Sequence, residues 1–287
     1  MFVYWGLKII QWFLWLLPAG FARGLGRFFG GLVFYVDRRH RKIALDNLEY
    51  AFSGKRGKRE LRRLGRKSFS QLGFNLVEFL RAPRFLRGVW ERRFRIEGRE
   101  NVEKAFGRGR GIIFVMAHFG NWEYLGFAPR LLSFPGAAVG QEIKNPAVDG
   151  LVKDIRETIG LELFPKFESV SSIRSYLKRN GAVAILADQR ARKMNVRVDF
   201  FGRPADTTAA PAVLVLKSGA ALIPVFIFYE GRGEYRIVFE DEIQIQSDPA
   251  LKEAVKAVTQ EVTSVFEKKI ERWPELWMWG HRRWTNN

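Results

Sequence analysis

The chain has no cysteine. That excludes disulfide staples, thiolate nucleophiles and cysteine-ligated zinc. Histidine is almost as scarce, with only His40, His118 and His281. A histidine-rich metal centre is therefore not expected, and an imidazole base has few candidates. Acidic residues are outnumbered, 30 against 48 Lys plus Arg, which leaves a formal net charge of +18. Such a surface seeks polyanions: nucleic acid, anionic lipid or an acidic protein. What is present in 287 residues is apolar material, 47% of the chain, with 25 Phe and 9 Trp. This is enough for a real core and excludes a disordered class.

Many aromatics lie at the start. Phe2, Tyr4, Trp5, Trp12, Phe13 and Trp15 share one stretch with several aliphatics, closed by Pro18. A second apolar stretch runs from Phe21 to Val36, interrupted by Arg23 and Arg27. Tryptophan and tyrosine favour the membrane–water interface. The first stretch is slightly short for a full span of about 20 residues and carries Lys8 in its middle, so a helix lying in the interface, or a tilted anchor, fits at least as well as a span. A buried core helix is the plainer alternative. The division expected is a membrane-anchoring segment over 1–36 and one domain over 37–287. Arg38, Arg39, Arg41 and Lys42 follow the anchor and place that domain on the cytoplasmic side by the positive-inside tendency.

From 59 to 80, Leu61, Leu64, Phe69, Leu72, Leu76 and Phe79 recur at helical spacing beside Arg59, Arg62, Arg63, Arg66 and Lys67. The pattern predicts an amphipathic helix with a cationic face. Beyond 111 it changes. Runs at 111–117, 182–187 and 222–228 read as strands buried on both faces. Asn145-Pro146 reads as an N-cap and first residue of a helix that Gly160 stops. Further helices are expected at 171–179, at 211–218 and from Asp248-Pro249 to Pro274, with edge strands at 235–239 and 243–245. The fold class is α/β, a central, mostly parallel sheet flanked by helices with the hydrophobic helical segment in front.

Ligands of such sheets bind beyond the carboxyl ends of the strands. Two polar clusters fall there: His118-Phe119-Gly120-Asn121-Trp122-Glu123 and Asp188-Gln189-Arg190. On one continuous helix His118 and Glu123 would diverge by about 140°. They meet only if His118 precedes the helix, Gly120 turns the corner and Glu123 opens the first turn. The carboxylate would then orient the imidazole and leave its other nitrogen as a general base for a substrate hydroxyl. A structural histidine at a helix start is the alternative. No zinc-finger, helix-turn-helix or RNP-like pattern accompanies the charge, so nucleic acid is not an expected partner.

These residues resemble a known family, the late acyltransferases of lipid A biosynthesis. His118 to Glu123 matches its H-x4-D/E motif, which glycerol-phosphate acyltransferases also carry. Asn47 to Phe52, Asn145-Pro146 with Asp149, Asp188-Gln189, Val198 to Gly202 with Thr207-Thr208, Gly219-Ala220 with Ile223-Pro224-Val225, and Pro274-Glu275, Met278-Trp279 and His281 to Arg283 resemble its further motifs, in order. One departure is Gln141, where members often carry Arg. The resemblance implies an enzyme on the cytoplasmic face of the bacterial inner membrane that moves a fatty acyl chain from acyl carrier protein, or acyl-CoA, to a glycolipid hydroxyl. It implies His118 as base and Glu123 as its partner. Asn121, Asn145, Asp149, Asp188, Gln189 and Arg190 are implied as substrate contacts, with neither cofactor nor metal. The basic helix then suits an acidic carrier protein or an anionic membrane surface. The alternatives are an acyltransferase making acylated phosphatidylinositol mannosides, one of the glycerol-phosphate type, and a non-catalytic basic membrane-binding protein.

Overall fold

A computed structural model describes residues 2–87, 90–140, 143–165, 170–245 and 251–284. It opens with four helices, α1 Phe2–Leu16, α2 Ala19–Val36, α3 Arg38–Phe52 and α4 Lys58–Phe85. Strand β1 (Phe94–Glu97), helix α5 (Arg99–Gly107) and strand β2 (Ile112–Met116) follow. The chain continues through α6 (Ala128–Leu132), β3 (Gly136–Gly140), α7 (Pro146–Thr158), β4 (Glu162–Pro165), α8 (Val170–Lys178) and β5 (Ala182–Leu186). A hairpin of β6 (Asn195–Phe200) and β7 (Arg203–Thr208) precedes α9 (Ala210–Ser218), β8 (Ala221–Gly231), β9 (Glu234–Phe239) and α10 (Leu251–Arg272).

The main sheet has seven strands in the order β1-β9-β8-β2-β5-β3-β4. All neighbours are parallel except β8 and β9. Strand β2 sits in the middle, and its register sets the centre: Ile112 faces Ala182 of β5 on one side and Ala221 of β8 on the other. Because strand side chains alternate, Ile113 and Val115 enter one core with α3, α9 and α10, while Ile112, Phe114 and Met116 enter a second core with α5 and α7. A strand that feeds two cores must be apolar throughout, which is why its sequence reads as an unbroken run.

Several expectations need correction. Residues 235–239 form no edge: β1 pairs beyond β9 and covers it. Residues 243–245 are not a strand; Ile243 keeps one backbone bond, to Leu222, and packs into the core. On α4, Leu76 points outward while Asn75 and Glu78 are buried, so the buried face is polar where it meets the site and the front helices. The start of α10 at Asp248-Pro249, and Gln141, lie outside the described residues.

The front segment is packed rather than appended. Helices α2 and α4 cross so closely that a Cβ on Gly73 would sit 2.1 Å from the Gly26 carbonyl oxygen, and one on Gly30 would sit 2.3 Å from that of Phe69. Arg23 of α2 pairs with buried Glu78 of α4 at 3.1 Å, and Tyr235 of β9 donates to the same carboxylate. Trp15 and Gln11 of α1 both donate to the Leu80 carbonyl. Yet the outward faces stay apolar: Trp5, Ile9 and Trp12 on α1, and Phe21, Phe28 and Phe29 on α2 are each more than half exposed. Among the described residues no helix is long and apolar enough to cross a membrane.

Candidate active site

The parallel register of β2 and β5 pairs Met116 with Leu186. Both strands then end, and two residues further on each chain stand His118 and Asp188. Continuing the register brings them together. His118 Nδ1 lies 2.8 Å from Asp188 Oδ1, and the His118 amide donates to Oδ2 at 2.9 Å. The Trp277 indole N–H donates to the same Oδ2 at 2.7 Å. The Asp188 side chain is 1% exposed and that of His118 18%. Burial alone would raise the Asp188 pKa, but His118 and Trp277 outweigh it and hold the carboxyl below its ordinary value. Asp188 is therefore ionised. An imidazole whose Nδ1–H is held by a carboxylate presents Nε2 as a proton acceptor.

Glu123 is elsewhere. Gly120 does turn the corner, with φ of 59°, and a Cβ there would lie 2.0 Å from the Ile227 carbonyl oxygen. The following 3-10 helix, Trp122–Phe127, carries Trp122 rather than Glu123 towards the imidazole, the two rings meeting edge-on at 5.1 Å. Glu123 takes the guanidinium of Arg156 on both oxygens, at 2.7 and 3.0 Å. Such a fork-to-fork pair is the strong geometry for Arg. The expected imidazole partner thus braces α7 against the site loop, and Asp188 holds the ring. The signal for this was the pair of polar clusters at two strand ends; what was missing was that the strands are neighbours.

The other candidates separate in the same way. Asn145 caps α7 by accepting from the amides of Ala147 and Val148. Asp149 accepts from the Ile143 amide and pairs with Lys153, which together lower its pKa. Both set the start of the helix that delivers Arg156. Gln189 is half-buried next to the pair. Arg190 joins the hairpin through a bridge to Thr207 and an ion pair to Asp206 at 3.7 Å. Asn121 is buried with neither amide atom partnered. The Gly120 amide donates to the Leu276 carbonyl.

The C-terminal residues that resemble a family signature lie against the His118–Asp188 pair. Trp277 bridges Phe119 in antiparallel fashion, and the Met278 amide donates to the His118 carbonyl. His281 follows, its pKa pushed down to about 4 by burial, with Asp188 opposing and His118, Arg283 and Arg190 adding to the fall. Arg283 is buried on Thr207 and the Asp206 carbonyl, and burial lowers it to about 10. Among the described residues no group of His, Asp and Glu is arranged to hold a metal ion.

A family model described as "Bacterial lipid A biosynthesis acyltransferase" matches residues 1–286. The chain belongs to this family. Its relatives include a lipid A biosynthesis lauroyltransferase of Escherichia coli, 28% identical, the match covering 96% of this chain and 88% of that protein. A lipid A biosynthesis acyltransferase of Haemophilus influenzae is 24% identical, over 96% of this chain and 86% of that one. A phosphatidylinositol mannoside acyltransferase of Mycobacterium tuberculosis is 29% identical over 66% of this chain. This last match spans 59% of the mycobacterial protein's length.

Proposed function

We propose that this protein transfers a fatty acyl chain from a thioester, carried by acyl carrier protein or coenzyme A, to a hydroxyl of a lipid A precursor or related glycolipid. His118 is the base and Asp188 its partner. Nε2 takes the proton as the hydroxyl oxygen attacks the thioester carbonyl. The tetrahedral intermediate expels the thiolate, which takes the proton back. One ester forms, one thioester breaks, and no acyl-enzyme is needed. General-base help of this kind contributes about 10²–10⁴-fold, and ionised Asp188 stabilises the transient imidazolium. Glu123 acts at one remove, by holding Arg156 and the loop. Asn121, with an unsatisfied buried amide, is a proposed substrate contact, as are Gln189 and Arg190.

The single observation that carries this reading is the buried Asp188 carboxylate on His118 Nδ1. Work at a membrane surface follows from the exposed aromatics of α1 and α2 beside a cationic α4. Large apolar patches rimmed by charge mark such surfaces. The face is that of the bacterial inner membrane towards the cytoplasm, where acyl thioesters are made. The mycobacterial relative supports a second acceptor, a phosphatidylinositol mannoside.

The test is purified protein with acyl carrier protein and coenzyme A thioesters and a panel of acceptors: lipid A precursor, phosphatidylinositol mannoside and lysophosphatidic acid. Mass spectrometry should find one ester product, lost in His118→Ala and Asp188→Asn. Salt-sensitive vesicle binding with no product from any acceptor would leave a non-catalytic polyanion-binding protein. Product from lysophosphatidic acid alone would make it a glycerol-phosphate-type enzyme.

A further inference from the structure

Both oxygens of Asp188 are occupied, but not equally from outside. His118 supplies two of the three donors, its ring to Oδ1 and its amide to Oδ2, and Trp277 supplies the third, to Oδ2. The indole is therefore the donor that does not move with the histidine. It comes from a part of the chain remote from both strand ends, and that part is held from several sides. The Gly120 amide donates to the Leu276 carbonyl at 2.9 Å, and the Met278 amide to the His118 carbonyl at 3.1 Å. Ser68 of α4 donates to the Trp277 carbonyl at 2.6 Å. Asn47 of α3, itself buried, donates to the carbonyls of Trp279 at 2.8 Å and His281 at 2.6 Å. The Trp277 ring is 2% exposed and wedged edge-on between Phe200 and Trp279.

We propose that Trp277 is a positioning residue for the His118–Asp188 pair, and that the strap over 276–281, clamped by Asn47 and Ser68, presents its indole N–H to Asp188. The inference rests on the reading of that pair as the base. The indole does two things. It fixes the plane of the carboxylate, so that Oδ1 stays aimed at the ring. It also draws negative charge towards Oδ2. Without it, more charge faces the imidazole, the imidazolium is favoured, and a higher pH is needed to free the base.

The experiment uses the full chain and reads free thiol released from dodecanoyl-coenzyme A, with a lipid A precursor as the hydroxyl acceptor, across pH. Two variants are compared with the wild type: Trp277→Phe, and 3-benzothienylalanine at 277, which keeps the fused ring and lacks the N–H. In both, the acid limb should move up by about half to one pH unit, a part of what one charge-assisted hydrogen bond is worth, because the indole acts on the imidazole only through Asp188. The rate constant kcat should fall about tenfold while KM for the thioester stays within about twofold. If the benzothienyl variant keeps the wild-type limb and kcat, the N–H has no role and the proposal is overturned, whatever Trp277→Phe does. A rise in KM alone would also overturn it. If Trp277→Phe does not fold, the benzothienyl variant decides. Failure of the underlying reading looks different: His118→Ala or Asp188→Asn would keep full activity.

Discussion

The loops that leave β2 and β5 each carry a carboxylate, and only one of the two reaches the imidazole. Glu123 is five residues along the chain from His118, yet its carboxylate is spent on Arg156. Asp188 is seventy residues away in sequence and holds the ring. The nearer acid must swing round a corner set by Gly120 and a 3-10 turn, where Trp122 takes the place beside the imidazole. The farther one needs only the continuation of a parallel register. Strand register is enforced by every ladder bond and by both cores. A loop corner is enforced by a few contacts. A base that must stay aligned is better served by the first.

Neutralising each acid in turn separates their roles. Asp188→Asn should lower kcat by about 10²–10⁴-fold, the usual worth of general-base assistance. It leaves a folded protein if the amide can keep the Trp277 and His118 amide contacts. Glu123→Gln should cost less in kcat than Asp188→Asn and more in stability, because it strands a partly buried guanidinium. Adding Arg156→Met to Glu123→Gln should restore part of that stability in a denaturant melt, and no second substitution at 156 should rescue Asp188→Asn. Equal kcat losses for the two acids would mean that Glu123 serves the imidazole as directly as Asp188 does.

A second contrast lies between the site and the front helices. The site holds its carboxylates in pairs, Asp188 with His118 and Glu123 with Arg156; α1 and α2 leave large apolar side chains in the open. Burying one such side chain is worth about 1.5–3 kcal/mol. Trp12→Glu with Phe29→Glu should therefore weaken binding to phosphatidylcholine–phosphatidylglycerol vesicles by tenfold or more in a sedimentation assay, with little change in melting temperature. Unchanged vesicle binding would place the contact elsewhere.

A further effect concerns His281. Its pKa falls from 6.5 to about 4 on folding. Between those values the unfolded chain binds the proton and the folded chain does not, so stability rises with pH through that window and is complete above it. His281→Gln should flatten the rise in urea melts between pH 4 and 6.5. Asp188, whose carboxyl is lowered, adds its own loss only as pH falls below the ordinary carboxylate range.

Much of this was legible from residues alone. The unbroken apolar runs became β2, β5 and β8, because strands between two cores have no wet face. Asn145-Pro146 became the start of α7, since a cap is a local device. What escaped was whatever lacks a strong local pattern. Strand β1 is four residues long with charges inside it, and β3 is made of Gly, Ala and Val, so neither stands out from a loop. The hairpin of β6 and β7 is half exposed and rich in polar residues, and Leu76 obeys a helical period that the packing of α1 and α2 does not use.

The amino-acid order by itself determined that an imidazole and two acids would sit at strand ends, because periodicity and capping act between near neighbours. It also determined that the front would be greasy and the surface basic. Only the tertiary structure decided which acid meets His118, that Arg156 claims the other, and that a tryptophan near the far end of the chain reaches the pair. Those choices depend on which strands lie side by side, and strand order is settled by packing two cores at once rather than by any run of residues.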